Sequence, residues 1–235
     1  MPKQKPKIVA IIQARMTSTR LPGKVLMLIQ KKPMLYWVIN RLKRSKLIDE
    51  ILLAIPDTKE SDVLEEFAKE NDIIYVRGSE NDVLSRYYKA SLTTNADVIV
   101  RITADCPLVD SEIVDKVIEK HLSSKADYTS NVVQRTYPQG LDVEVFNFSV
   151  LKKAVNDADA DFQKEHVTPY FWQNPQMFKL QNVEAVGVLN NPEIRITVDV
   201  QQDLDLVREI YKHFFEKEFF SAEEAVKFLQ QNKKL

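Results

Sequence analysis

The sequence predicts an α/β fold in which a mostly parallel sheet carries helices on both faces. Three observations support it. Ile8–Ile12 is a short unbroken apolar run, the mark of a strand covered on both sides. Stretches with helical spacing alternate with such runs, as in Leu35, Val38, Ile39 and Leu42. Loops rich in charge and hydroxyls follow the strands directly, where open α/β sheets bind their ligands.

In chain order, Met1–Pro6 reads as a frayed tail and Ile8–Ile12 as the first strand. Lys31, Lys32 and Pro33 form a turn, and Pro33 opens a helix over Met34–Ser45. Glu50–Ile55 is a second strand, closed by Pro56. Asp57–Asp62 supplies an N-cap and an acidic first turn for a helix over Asp62–Glu70. Ile73–Val76 is a third strand, and a helix runs from Asp82 to Leu92. Ala96–Thr103 is a fourth, buried strand. Asp110 or Ser111 caps the next helix, Ser111–His121, and Asp127–Asn131 is a fifth strand. Leu141, Val143 and Val145 alternate with Asp142 and Glu144, the pattern of a half-solvated strand. Helices follow over Ser149–Asn156 and from Phe162. Met177–Gly187 reads as strand and turn, Ile194–Asp199 as a strand ending in an acid, and Gln202–Val207 as the start of a helix. Tyr211–Leu235 reads as an amphipathic helical tail. A mixed, partly antiparallel arm over Tyr128–Ile194 suits dimerisation. No linker or repeat divides the chain, so 1–235 reads as a single domain.

Composition narrows the function. Basic and acidic residues nearly cancel, 33 against 34, which argues against a general nucleic-acid binder. No apolar run approaches the ~18 residues of a membrane span, and no signal-peptide core follows the basic N-terminus. The single cysteine, Cys106, allows no intrachain disulfide and fits a reducing cytoplasm. It reads as a packing residue rather than a nucleophile.

The first strand runs into a loop holding Arg15, Thr17, Ser18, Thr19, Arg20 and Lys24, with Pro22 and Gly23 turning the chain before Lys24. Cations, hydroxyls and free backbone N–H groups at a strand end suit a polyphosphate. Neither the P-loop pattern nor the dinucleotide G-x-G-x-x-G occurs. The fourth strand ends at Thr103, Ala104, Asp105, Cys106 and Pro107. With Asp110 or Ser111 as helix cap, Asp105 is left for another task. A carboxylate there, with Asp199 at another strand end, suits Mg2+, which takes one or two carboxylates plus phosphate and water oxygens.

Ile11–Arg15 together with Arg20–Lys24 resembles the signature of cytidylyltransferases that activate sugars as CMP conjugates. Gln13 stands where the octulosonate-specific members carry proline, as in the branch named for the spore coat polysaccharide biosynthesis protein SpsF. The Glu165–Tyr170 string is similar to that branch as well, and Asp199–Leu206 resembles the closing Asp-x-x-x-Asp-Leu motif of the family. The resemblance implies a three-layer, Rossmann-like nucleotide-diphospho-sugar transferase fold. It also implies a homodimer and transfer of CMP from CTP to a small anionic acceptor, an acidic sugar or related surface-polysaccharide precursor, with release of pyrophosphate. Lys24, Arg15 and Asp105 are then catalytic. Ala14, Arg15, Ser18, Arg20 and Lys24 bind the nucleotide, the last four at its triphosphate, Arg77, Gly78 and Ser79 contact the nucleoside, and Asp105 and Asp199 hold the metal. Gln139, Gly140, Asp142, Glu144 and His166 belong to the acceptor pocket, which 128–195 would supply.

Two rivals keep the fold: a transferase using another NTP, and a glycosyltransferase using a finished nucleotide sugar. The latter often carries D-x-D after a strand. The only such strings here are Asp157–Asp159, Asp159–Asp161 and Asp203–Asp205, none after a strand. A non-catalytic module predicts missing acids or a damaged loop, whereas Lys24, Asp105 and Asp199 are all present.

Overall fold

The strand β1 (Ile8–Gln13) runs through the middle of a seven-stranded sheet and feeds both halves of the core. Ile8, Ala10 and Ile12 pack into one apolar layer, Val9 and Ile11 into the other. Successive strand residues point to opposite faces, so an unbroken apolar run demands cover on both. The result is three layers, helix, sheet and helix.

The structure is a computed structural model describing residues 5–232. The expected tail lies mostly outside the described residues, as do the last residues of the expected C-terminal helix. After β1 come two short strands, β2 (Leu28–Ile29) and β3 (Lys32–Pro33), then α1 (Met34–Leu42), β4 (Glu50–Pro56) and α2 (Asp62–Glu70). Next are β5 (Ile74–Gly78), α3 (Val83–Thr94), β6 (Val98–Thr103), α4 (Ser111–Ser124), β7 (Tyr128–Ser130) and β8 (Glu144–Asn147). The chain continues through α5 (Phe148–Asp157), α6 (Asp161–His166), α7 (Pro169–Trp172), β9 (Leu180–Asn182), α8 (Gln201–His213) and α9 (Ala222–Gln231).

The strand order is β5-β4-β1-β6-β8-β7-β9. β5, β4, β1 and β6 are parallel, while β8 runs antiparallel to both β6 and β7. α1, α2, α4, α8 and α9 cover one face; α3, α5 and α7 cover the other. Gln13 pairs with Ala54 on one side and Thr103 on the other, so β1, β4 and β6 end together. That shared edge carries the site. No helix among the described residues is long and apolar enough to cross a membrane.

Several elements differ from the sequence expectation. The antiparallel strands after Tyr128 belong to the main sheet, where β8 inserts between β6 and β7. The separate antiparallel sheet is β2–β3 instead. The alternating stretch becomes a strand only from Glu144; Leu141 and Val143 are buried in the preceding loop. Ile194–Asp199 forms no strand. It is extended chain joined to Gln139 by an isolated bridge, with Gln139 N donating to Ile194 O at 2.9 Å and Ile196 N to Gln139 O at 2.8 Å. The C-terminal segment is broken between α8 and α9, where Ser221 caps α9 by accepting from Glu224 N at 3.1 Å.

Candidate active site

Gly23 closes the first loop. Its φ of +71° suits glycine, and its N–H donates to Met16 O at 2.9 Å. The single 3₁₀ turn Lys24–Leu26 follows and sends Lys24 inward, where it is only 7 % exposed. Lys24 Nζ donates to Asp105 Oδ2 at 2.9 Å, Val198 O at 2.7 Å and Asp199 Oδ1 at 2.9 Å. An ammonium has three hydrogens, and each has an acceptor.

Backbone bonds bring the two acids together. Asp105 O accepts from Val198 N at 2.9 Å and from Thr197 Oγ1 at 3.1 Å, joining the loop after β6 to the segment before α8. Asp203 Oδ2 then accepts from the N–H groups of Asp199 and Val200, at 2.7 and 3.0 Å, and fixes the helix entry. Asp110 caps α4, accepting from Glu112 N at 2.9 Å, which leaves Asp105 uncommitted to capping. Asp199 also meets Arg20 at 2.8 Å and pairs with Arg195. Burial raises the Asp199 pKa, but Lys24 and the two arginines outweigh it and hold the carboxyl below its ordinary value. Burial, aided by the charge of Asp105, pushes the Cys106 thiol well up, so it is no thiolate nucleophile.

These groups border a cleft of about 420 Å³ at the shared strand edge. Ala14, Arg15, Ser18, Arg20, Lys24, Asp105 and Asp199 all line it. So do Gln139, Asp142 and His166. A second chamber of about 480 Å³ shares Arg101, Thr103, Asp142 and His166 with it and contains Glu144. There Arg101 pairs with Glu144, which also accepts from Tyr128 Oη at 2.6 Å. Burial lowers the Arg101 pKa, yet Glu144 more than compensates and holds it above the ordinary value. Asp142 and Arg135 form a two-pronged pair at 2.7 and 2.8 Å. Phe162 and Trp172 supply an apolar wall.

His166 reaches both chambers through a strained turn. Val167 has φ +69° and ψ −58°, and Thr168 N donates to His166 O at 2.8 Å. That is the rare γ-turn, in a region costly for a β-branched residue.

Four expected site residues fall elsewhere. Arg77 and Gly78 belong to β5 itself, pairing with Ile55 and Pro56, because the strand runs two residues past Val76. Arg77 is held by Asp62 and Glu65 at 2.8 Å each and lines neither chamber. Ser79 stabilises its own turn, its hydroxyl accepting from Asp82 N at 3.0 Å. Gly140, at φ +107°, serves packing: a Cβ there would lie 2.6 Å from Thr197 N. Arg86, Arg101 and Arg195 also line the cleft, outside every motif of the sequence. Their signal was a charge in an apolar setting: Arg101 inside a buried strand, Arg86 one turn after Val83, and Arg195 between two isoleucines.

A cleft lined by cations and paired acids, at the strand ends of a mostly parallel sheet, defines a nucleotide-handling transferase. The chain belongs to the cytidylyltransferase family, whose model matches residues 9–234. It is thus a CTP-dependent nucleotidyltransferase. An uncharacterised protein of Methanocaldococcus jannaschii is 42 % identical over 88 % of this chain and 84 % of its own length. The spore coat polysaccharide biosynthesis protein SpsF of Bacillus subtilis is 34 % identical over 96 % of this chain and 95 % of its own. A solved cytidylyltransferase of Leptospira borgpetersenii superposes with a TM-score of 0.92 at 32 % identity, covering 98 % of this chain and 96 % of that one.

The donor set suits Mg2+. Asp105 and Asp199 offer hard oxygen donors that converge on the Lys24 ammonium, and among the described residues Asp105 Oδ1 meets only the Cys106 thiol, at 3.7 Å. No cluster of three or more acidic, histidine or cysteine ligands occurs among the described residues. Phosphate oxygens and water would therefore complete the shell, the usual arrangement for this ion.

Proposed function

We propose that the protein moves the cytidylyl group of CTP to an acidic sugar or related surface-polysaccharide precursor, releasing pyrophosphate. One observation carries the reading: Lys24, Asp105 and Asp199 meet at a cleft that also holds Arg15, Ser18 and Arg20. Arg15, Ser18 and Arg20 orient the triphosphate, and Lys24 offsets the negative charge that grows on the departing pyrophosphate. Asp105 and Asp199 would hold Mg2+, which supplies charge neutralisation at the phosphates when bound. The acceptor occupies the second chamber, stacked on Phe162 or Trp172 and hydrogen-bonded by His166, with Gln139 on the adjoining cleft. Its acidic group displaces Asp142 from Arg135, exchanging one carboxylate for another. No covalent intermediate is needed, and the acceptor oxygen attacks the α-phosphorus directly. The reading includes a cytoplasmic homodimer, checked by light scattering.

Pyrophosphate release tests it. Each NTP is offered with a panel of acidic sugars and phosphorylated alcohols in the presence of Mg2+. Turnover with CTP and an acidic sugar is expected. Faster turnover with UTP or GTP, or a preference for uncharged acceptors, contradicts it.

A further inference from the structure

Arg86 is 2 % exposed on the wall of the nucleotide cleft. It lies on the buried face of α3 with Val83, Tyr87 and Ala90. Its Nη1 donates to Ser79 O at 2.7 Å, while its Nε is buried without an acceptor. It joins no salt bridge among the described residues. Burial draws its pKa down to about 10, so it stays charged at neutral pH. A buried, half-satisfied guanidinium is costly to keep. Its stem is given room on purpose: a Cβ at Gly78 would lie 3.2 Å from Arg86 Cγ.

The surroundings indicate what would satisfy it. Ala14 and Val83 beside it are apolar and buried, a setting for a flat ring rather than a phosphate. Arg86 comes from α3, which packs on β5, β4 and β1. The Lys24–Asp105–Asp199 cluster is flanked by Val25, Ala104 and Val198 of one apolar layer, whereas Val83, Tyr87 and Ala90 around Arg86 belong to the other. The two groups thus serve different parts of one elongated ligand.

We propose that Arg86 reads the base, donating to O2 and N3 of cytosine. Cytosine presents two adjacent acceptors there, and a guanidinium offers only donors. Uracil has an N–H at N3, which faces a donor with a donor. Arg86 is thus a specificity-determining residue that selects CTP over UTP. This inference rests on the functional reading above.

The test compares binding of CTP, UTP, 3-deaza-CTP and inorganic tripolyphosphate by calorimetry. It uses the wild-type protein, Arg86→Met and Arg86→Lys, with thermal melts as a check on folding. Wild type should prefer CTP over UTP. 3-Deaza-CTP, which lacks the N3 acceptor, should bind wild type about tenfold or more weakly than CTP, and that arm needs no folded variant. Both substitutions should shrink the CTP-to-UTP preference by about tenfold to a hundredfold and leave tripolyphosphate unchanged. Equal losses for CTP, UTP and tripolyphosphate would make Arg86 a phosphate ligand and overturn the inference. An unchanged preference, or equal affinity of wild type for CTP and 3-deaza-CTP, overturns it too. A wild-type protein that binds no nucleotide instead defeats the functional reading beneath it.

Discussion

Asp105 and Asp199 accept hydrogen bonds from the same ammonium, that of Lys24, at 2.9 Å each. One residue follows β6 and the other precedes α8, and the backbone bond from Val198 N to Asp105 O sets them side by side. In the proposed reaction the pair governs charge at the phosphates. Asp105→Ala is expected to lower turnover about 10²–10³-fold, with a melting temperature close to wild type. Pyrophosphate release and circular dichroism check this, and near-normal turnover would remove Asp105 from the chemistry.

Lys24 also holds the fold together locally. Lys24→Met leaves two neighbouring carboxylates short of their central counter-charge. The expected cost is about 2 kcal/mol, between the values for exposed and buried pairs. Added Mg2+ should raise the melting temperature of this variant more than that of wild type, since a divalent ion can take the ammonium's place. Equal stabilisation by Mg2+ would argue that the two acids do not form the metal site.

Asp199 makes stability depend on acid. Its pKa lies below the ordinary 3.8 because Lys24, Arg195 and Arg20 outweigh burial. A depressed carboxyl contributes stability that is fully present above the unfolded pKa and is lost as pH falls through the folded one. Wild type should therefore exceed Asp199→Asn in stability at neutral pH. The gap should close as pH drops below about 4. Urea denaturation across that range measures it; a gap independent of pH would contradict the assignment.

Much of this was legible in the sequence, and the reasons differ by element. The Ile8–Ile12 run, the cationic loop after it and the acid at Asp105 are local signals, and the structure keeps all three at one edge. The sequence puts Asp199 at a strand end; the structure sets it beside Asp105 without the strand, because single backbone bonds replace a ladder. Arg77 was misplaced by the length of β5, which only its pairing with β4 reveals. Arg86 and Arg101 were missed because an arginine in an apolar pattern reads as noise until the partners it has, or lacks, are visible.

Gly140 joins the acceptor side to the segment carrying Asp199. A methyl group there would press on the backbone of Ile196 and Thr197 at 2.6–3.0 Å, from a φ of +107°. Gly140→Ala is expected to cost about 1–3 kcal/mol and to weaken activity by loosening Asp199. Chemical denaturation checks the first effect. An unperturbed midpoint would mean that the Gln139–Arg195 bridge is not structural.

Arg101 lines both chambers and pairs with the buried Glu144 in the second. Removing either charge alone should cost about 3–5 kcal/mol, since an unpaired buried ion remains. Replacing both with apolar residues should cost clearly less than the sum. A double-mutant cycle by urea denaturation reads the coupling, and additive losses would show that the two side chains do not depend on each other.

In the proposed reaction the cation loop and the two distant acids grip a single magnesium-chelated CTP. Calorimetric titration of CTP with Mg2+ into wild type and Lys24→Met tests it most directly. Wild type is expected to show saturable one-site binding, and the folded variant a loss of at least about tenfold in affinity. Undiminished binding by Lys24→Met, or no heat with wild type, would contradict it.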